Sequence, residues 1–182
     1  MIDKIFFDED ISLKENVSCI GSFDGVHRGH QHLIKKTIEL AKRDNVLPYA
    51  ITFDPDPDVL LGNNTLRLTS LDKKIALFEE FGLKGVIIIP FDEKVMRMDL
   101  NCFKSEIFDK LNVKTLVCGF DFTYGYKGKG NVSTLKKQGI NVEVLDEYTY
   151  YGKKISSTRI RNEILKGNIT FASKMLGYEY NK

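Results

Sequence analysis

The chain has 182 residues, of which 42% are hydrophobic and 29% are charged, and its formal net charge is +2. These values fit one soluble globular domain and exclude a disordered, collagen-like or disulfide-framework protein. The net charge by itself is too small to indicate nucleic acid as a partner.

The charges are unevenly distributed along the chain. Residues 1–126 hold 16 basic and 20 acidic residues, a balance of −4, whereas residues 127–182 hold 11 and 5, a balance of +6. The basic last third forms either an ordinary solvated surface or part of an anion-binding site.

The cysteines and the apolar runs indicate the cellular compartment and whether a membrane is involved. Cys19, Cys102 and Cys118 are odd in number and lack CxxC spacing, which favours reduced thiols in a cytoplasmic protein. The N-terminus is too acidic for an export signal. The longest strongly apolar run, residues 86–89, is far shorter than the ~20 residues that span a bilayer. We therefore expect no membrane partner.

Predicted strands and helices alternate along the chain. Short apolar runs next to Gly or Pro predict strands at 17–20, 49–53, 86–89, 115–118 and 142–145. Helical spacing of apolar residues predicts helices from Gly29 to about Arg43, from Thr69 to Gly82, around 103–111, and at 131–138, 157–166 and 170–176. Residues 148–155 are predicted to form a hairpin arm. The alternation predicts an α/β domain with a parallel sheet covered by helices on both faces.

In such sheets ligands bind beyond the carboxyl ends of the strands. The loops after Ile20, Phe53, Cys118 and Ile155 therefore become the candidate site.

The first loop carries all three histidines in the segment GSFDGVHRGHQH, residues 21–32. Its glycines allow close backbone approach to a ligand, and the following helix start offers free N–H groups to an anion. His27 and His30 are spaced to hydrogen-bond phosphate oxygens there. A zinc site and a plain surface position are the alternatives, and we assign the surface interpretation to His32.

The second loop, TFDPDPD at 52–58, combines three acids with two stiffening prolines. The acids face either a metal-bound nucleotide or the polar edge of a ring, unless the segment is simply a turn.

The third loop, GFDFTYGYKGKGN at 119–131, offers aromatic side chains to a flat ring and lysines to phosphate. It lacks the GxxxxGK[ST] pattern of a P-loop, because Asn131 follows Gly130. A flexible surface loop is the alternative.

The fourth loop, ISSTRIR at 155–161, places hydroxyl groups at a helix start. Helix capping accounts for one hydroxyl. Three hydroxyls followed by two arginines favour a clamp for a polyphosphate.

Together these segments resemble the adenylyltransferase module of bacterial riboflavin kinase/FMN adenylyltransferases, the prokaryotic FAD synthetases. GSFDGVHRGH is similar to that family's HxGH motif, and TFDPDP, CGFDFTYGYKGKGN, ISSTRIR and LGYEY match its other segments in order. The resemblance implies a Rossmann-like nucleotidyltransferase fold. It also implies transfer of AMP from ATP to FMN, with Mg²⁺ arriving on ATP and no metal site in the protein.

The resemblance also implies roles for residues. Catalytic positions are His27, His30, Ser157, Thr158 and Arg161. Contacts with ATP are assigned to Gly21, Ser22, Phe23, Asp24, Gly25, His27, His30, Ser157 and Arg161. Contacts with the flavin are assigned to Phe53, Asp54, Pro55, Asp56, Asp121, Phe122, Thr123 and Tyr124.

Two departures from the family pattern qualify these implications. Asp56 stands where related sequences often carry His, and nothing here corresponds to a riboflavin kinase module. We therefore expect residues 1–182 to form one adenylyltransferase domain that does not phosphorylate riboflavin. The alternatives are an HxGH enzyme with another phosphorylated acceptor and a non-catalytic flavin or nucleotide binder.

Overall fold

A computed structural model describes residues 1–7, 11–62 and 66–180. Its strands are β1 (Asp3–Phe6), β2 (Asn16–Ile20), β3 (Leu47–Asp54), β4 (Gly85–Pro90), β5 (Val113–Gly119), β6 (Thr123–Tyr124), β7 (Gly130–Asn131), β8 (Val142–Leu145), β9 (Thr149–Tyr150) and β10 (Lys153–Lys154). Its helices are α1 (Arg28–Asp44), α2 (Pro57–Leu60), α3 (Leu71–Glu80), α4 (Glu93–Met96), α5 (Leu100–Phe103), α6 (Val132–Lys137), α7 (Ser157–Leu165) and α8 (Ile169–Leu176).

Six strands form one parallel sheet in the order β1-β4-β3-β2-β5-β8. The chain moves outward from β2 through β3 to β4, and then returns to the other side of β2 for β5 and β8. This reversal opens a crevice between the carboxyl ends of β2 and β5, which is where ligands bind in open α/β sheets. The predicted parallel sheet covered on both faces is confirmed.

The two sheet faces carry separate apolar cores because side chains alternate along each strand. In β4, Val86 and Ile88 pack on the face covered by α1 and α3, whereas Ile87 and Ile89 pack on the opposite face. A third cluster joins α7 and α8 through Ile160 and Met175. Within the described residues, no helix combines the length and apolar character needed to cross a membrane.

Some local features differ from the sequence predictions. Strand β1 was not predicted, since it is a short edge strand with Phe6 exposed and only one neighbour, β4. The predicted helix around 103–111 is α5 followed by a π-helical segment, Lys104–Asp109. The hairpin arm predicted at 148–155 is confirmed as β9 and β10.

Candidate active site

A cleft of about 320 Å³ lies at the carboxyl ends of β2 and β5. Its lining includes residues 20–22, 119–122, 145–148 and 154–158, together with His27, His30 and Arg161. Three of the four predicted loops therefore meet at one place, and the second loop reaches it through Asp58. They do so because the parallel strands that precede the first and third loops end at the same edge of the sheet.

The first loop makes a tight turn between β2 and α1. Phe23 and Gly25 adopt positive φ angles of 53° and 80°, and Gly25 has no room for a side chain because Leu68 would lie 2.8 Å from an added Cβ. The turn ends at His27, which caps α1 by accepting the backbone N–H of His30 on its Nδ1 at 3.3 Å. Neutral His27 therefore carries its proton on Nε2.

The imidazoles of His27 and His30 stack with their centroids 3.6 Å apart and their planes 13° apart. Burial lowers the pKa of His27 to about 4 and also holds the pKa of His30 well below its usual range. Both rings are therefore uncharged at neutral pH. His30 Nδ1 is buried, and the described residues provide it with no hydrogen-bond partner. An unpaired buried nitrogen beside the N-terminus of α1 suits an anionic ligand.

Asp24 ties this turn to two other segments. Its Oδ1 accepts the N–H groups of Leu68 and Thr69 at 2.9 and 3.2 Å, and its Oδ2 accepts Arg161 Nη2 at 2.7 Å. Its backbone carbonyl accepts the Ser157 hydroxyl at 2.8 Å. Both members of the Asp24–Arg161 ion pair are largely buried. The HxGH turn and the start of α7 are therefore one connected unit.

The three hydroxyl residues at the start of α7 all line the cleft, and one of them also caps the helix. Ser156 caps the helix by accepting the N–H of Arg159 at 3.2 Å. Ser157 and Thr158 follow on the cleft lining, where Arg161 joins them. Helix capping therefore uses Ser156, while the Ser157 hydroxyl is bound to the Asp24 carbonyl. Arg159, the other arginine of the predicted clamp, does not line the cleft and donates instead to three carbonyl groups of the hairpin arm.

The predicted ATP contacts fall into two sets. Gly21, Ser22 and both histidines line the cleft. Phe23, Asp24 and Gly25 are not on the lining: Phe23 is in the core against Phe78, and the backbone N–H of Gly25 donates to the Thr69 hydroxyl. These three hold the turn in shape, a role that a motif in a sequence does not distinguish from ligand contact.

The predicted flavin contacts are also divided. Asp121 and Phe122 line the cleft, with Phe120 beside them. Thr123 and Tyr124 form strand β6 and do not line the cleft. Tyr124 packs in the core on the sheet face opposite α1 and α3, and its hydroxyl donates to Gln138 at 2.5 Å. Asp121 pairs with Lys154 of the hairpin arm.

The second loop does not reach the cleft lining through its predicted residues. Phe53, Asp54 and Asp56 surround a small cavity behind the cleft with Lys74, and Pro55 follows a cis peptide bond. Asp56 caps the short helix α2 by accepting the N–H of Asp58 at 3.1 Å. Asp58, an acid of the predicted loop that was not assigned to the flavin, does line the cleft.

Other lining residues were also missed. Lys154, Tyr148 and residues 145–147 line the cleft, as does His32, which was assigned to the plain surface. Residues 146–148 follow β8, and they would have been predicted if the loop after this strand had been included among the strand ends where ligands bind. Lys154 precedes the ISSTRIR motif and carried no signal of its own. As for the zinc alternative, no group of three or more His, Cys, Asp or Glu is arranged to hold a metal among residues 1–7, 11–62 and 66–180.

Comparison with known protein families identifies the family of this chain. The family model for FAD synthetase matches residues 10–159. The chain belongs to the FAD synthetase family. The resemblance predicted from the four motifs is thereby confirmed.

The curated relatives of this chain differ in length. It is 34% identical over 170 residues to the bifunctional riboflavin kinase/FMN adenylyltransferase of Listeria monocytogenes, covering 90% of this chain and 54% of that protein. The protein of the same name from Escherichia coli is 32% identical, with 90% and 55% covered. The chain thus spans about half the length of these relatives. A putative bifunctional riboflavin kinase/FMN adenylyltransferase of Geobacillus thermodenitrificans is 31% identical, with 93% and 94% covered.

Solved structures support the fold. A structure described as a macrolide-efflux protein from Streptococcus pneumoniae matches 99% of this chain and 72% of its own, with a TM-score of 0.89 and 28% identity. A pantothenate synthetase from Thermus thermophilus matches 91% of this chain and 76% of its own, with a TM-score of 0.55 and 16% identity, which indicates the fold alone. The predicted Rossmann-like nucleotidyltransferase fold is confirmed.

Proposed function

We propose that this chain transfers the AMP moiety of ATP to FMN, giving FAD and pyrophosphate. An oxygen of the FMN phosphate attacks the α-phosphorus in line and forms the new P–O bond. The bond from the α-phosphorus to the α,β-bridging oxygen breaks, and its electrons leave with pyrophosphate. Mg²⁺ enters as part of the ATP substrate, bound to phosphate oxygens and water.

The observation that carries this proposal is the buried, unpartnered Nδ1 of His30 beside the stacked His27 at the N-terminus of α1. Neutral imidazoles donate N–H groups to phosphate oxygens without a fixed charge of their own. Such donors, placed before the substrate arrives, stabilise charge that develops in the transition state.

Ser157, Thr158 and Arg161 are proposed to hold the β- and γ-phosphates as they become the leaving group. Arg161 suits this role because Asp24 and the Leu66 carbonyl already fix its guanidinium at the cleft. Asp121 and Phe122 are proposed to border the flavin, whereas Phe53, Asp54 and Asp56 surround the separate small cavity. The basic balance of the last third then reflects in part this phosphate clamp.

The test is an acceptor assay with purified chain, ATP and Mg²⁺. FMN, riboflavin, phosphopantetheine and a nicotinamide mononucleotide are supplied separately, and dinucleotide products and pyrophosphate are quantified. We expect FAD from FMN and no conversion of riboflavin to FMN. A different dinucleotide would assign another acceptor, and binding of FMN and ATP without pyrophosphate release would refute the enzymatic proposal.

A further inference from the structure

A lysine side chain is buried directly behind the cleft. Lys74 of α3 is only 5% exposed. Its ammonium donates to the Ser22 carbonyl at 2.5 Å and to the Thr52 hydroxyl at 3.3 Å. Thr52 lies in β3 near its carboxyl end and Ser22 lies just beyond β2, so Lys74 reaches the edge of the sheet where the cleft opens.

This ammonium is expensive to bury, because a charge loses its hydration in the protein interior. Its hydrogen-bond acceptors are a carbonyl and a hydroxyl, and the carboxylates of Asp24, Asp54 and Asp56 favour its charge from greater distances. Burial lowers the pKa of Lys74, and the charge of Arg67 acts in the same direction. Both hydrogen-bond acceptors are uncharged, so these hydrogen bonds do not neutralise the ammonium. Its charge can therefore act on the cleft beside it.

The charge of Lys74 acts on the site through two routes. Ser22 lines the cleft while Lys74 does not, so the hydrogen bond draws the Ser22 carbonyl oxygen away from the space offered to phosphates. A carbonyl oxygen facing that space would repel a triphosphate. The positive charge also reaches the imidazole of His30, whose pKa is lowered by burial, by His27, by Lys74 and by Lys154.

We propose that Lys74 is a positioning residue for the triphosphate of ATP, which holds the Ser22 carbonyl out of the phosphate path and keeps a fixed positive charge behind the cleft. The inference rests on the proposed adenylyl transfer. It assigns to α3, outside all four predicted loops, a part in binding the nucleotide.

The experiment compares Lys74→Met with Lys74→Arg, which retains the charge. Lys84→Met is the matched control. Lys84 is an exposed lysine just before β4, at the amino-terminal edge of the sheet and opposite the edge that carries the cleft. Lys74→Gln, which retains an N–H donor without the charge, replaces Lys74→Met if that variant does not fold. For each protein we measure Tm, the Kd values of ATP and of adenosine by calorimetry, and kcat and KM for both substrates.

For Lys74→Met we expect kcat/KM for ATP to fall about 10- to 100-fold, with KM for FMN unchanged, because the substitution releases the Ser22 carbonyl and removes a positive charge from behind the proposed phosphate site. ATP affinity falls while adenosine affinity does not, Lys74→Arg recovers part of the loss, and Lys84→Met behaves like the wild type. Equal weakening of ATP and adenosine, or a lowered Tm with unchanged kinetics, would overturn the inference. If the wild type makes no FAD, adenylyl transfer to FMN fails, and the comparison of ATP with adenosine still decides the role of Lys74.

Discussion

The two sides of the cleft are built differently. The phosphate side, comprising His27, His30, Ser157, Thr158 and Arg161, is held by buried contacts such as the ion pair Asp24–Arg161 at 2.7 Å. The flavin side, residues 119–124, is joined to the opposite wall by the exposed pair of Asp121 with Lys154. All five predicted catalytic residues line the cleft, whereas only two of the four flavin contacts predicted in 119–124 do.

The difference follows from what each side is proposed to bind. A transferring phosphoryl group needs donors that are already oriented, since reorganising them during the reaction costs free energy. A flat ring mainly needs apolar area and a few polar contacts, and side chains supply these when they adjust on binding. Rigid polar networks are accordingly expected on the phosphate side, and weak exposed contacts on the flavin side.

The largest effect is expected from Asp24→Asn. Removing one partner of a buried ion pair leaves the Arg161 guanidinium uncompensated and lowers the free energy of unfolding by about 3–5 kcal/mol. Urea unfolding measures this loss. The control is Glu93→Gln, which breaks the exposed pair Arg97–Glu93 and costs below about 1 kcal/mol. Adding Arg161→Met to Asp24→Asn should restore part of the stability; equal effects of the two single variants would contradict a rigid phosphate side.

The next effect is expected from His27→Ala. Loss of one preorganised donor lowers kcat for FAD formation by about 100- to 1,000-fold, while the Kd of FMN stays within about twofold. Steady-state kinetics gives kcat, and quenching of flavin fluorescence gives the Kd. If turnover and FMN binding weaken equally, His27 only shapes the cleft, and the two sides are not separable.

The buried histidines also predict how stability depends on pH. Because His27 has a pKa of about 4 when folded and about 6.5 when unfolded, the unfolded chain binds more protons between these values. The contribution of His27 to the free energy of unfolding is therefore fully present above pH 6.5. It is lost as the pH falls toward 4, by at most about 3 kcal/mol for this residue. Urea unfolding at several pH values measures the slope. His27→Gln should reduce this slope, and the lowered pKa of His30 should account for part of what remains; a flat wild-type profile would refute the burial argument.

How far the sequence predicts this molecule depends on the type of signal. The parallel sheet follows from apolar runs such as residues 86–89, which are long enough to identify a buried strand. The site residues follow where chemistry and position coincide, as at His27 and His30. Phe23 and Tyr124 were assigned to ligands because a motif does not separate the side chains that shape a loop from those that face out of it. Lys74 and Lys154 were missed because packing brings them to the site from segments without a motif.

The smallest effect on stability, and the sharpest test of the flavin side, is expected from Asp121→Asn. Asp121 and Asp109 are both aspartates in exposed pairs with lysine, and their side chains are 55% and 54% exposed. Neither substitution should lower the free energy of unfolding by more than about 1 kcal/mol, because solvent screens such pairs. Asp121→Asn alone should raise KM for FMN severalfold with KM for ATP unchanged, and Asp109→Asn should match the wild type in both. A rise in KM for ATP instead would show that Asp121 acts on ATP. Asp121 and its partner Lys154 would then belong to the phosphate side of the cleft.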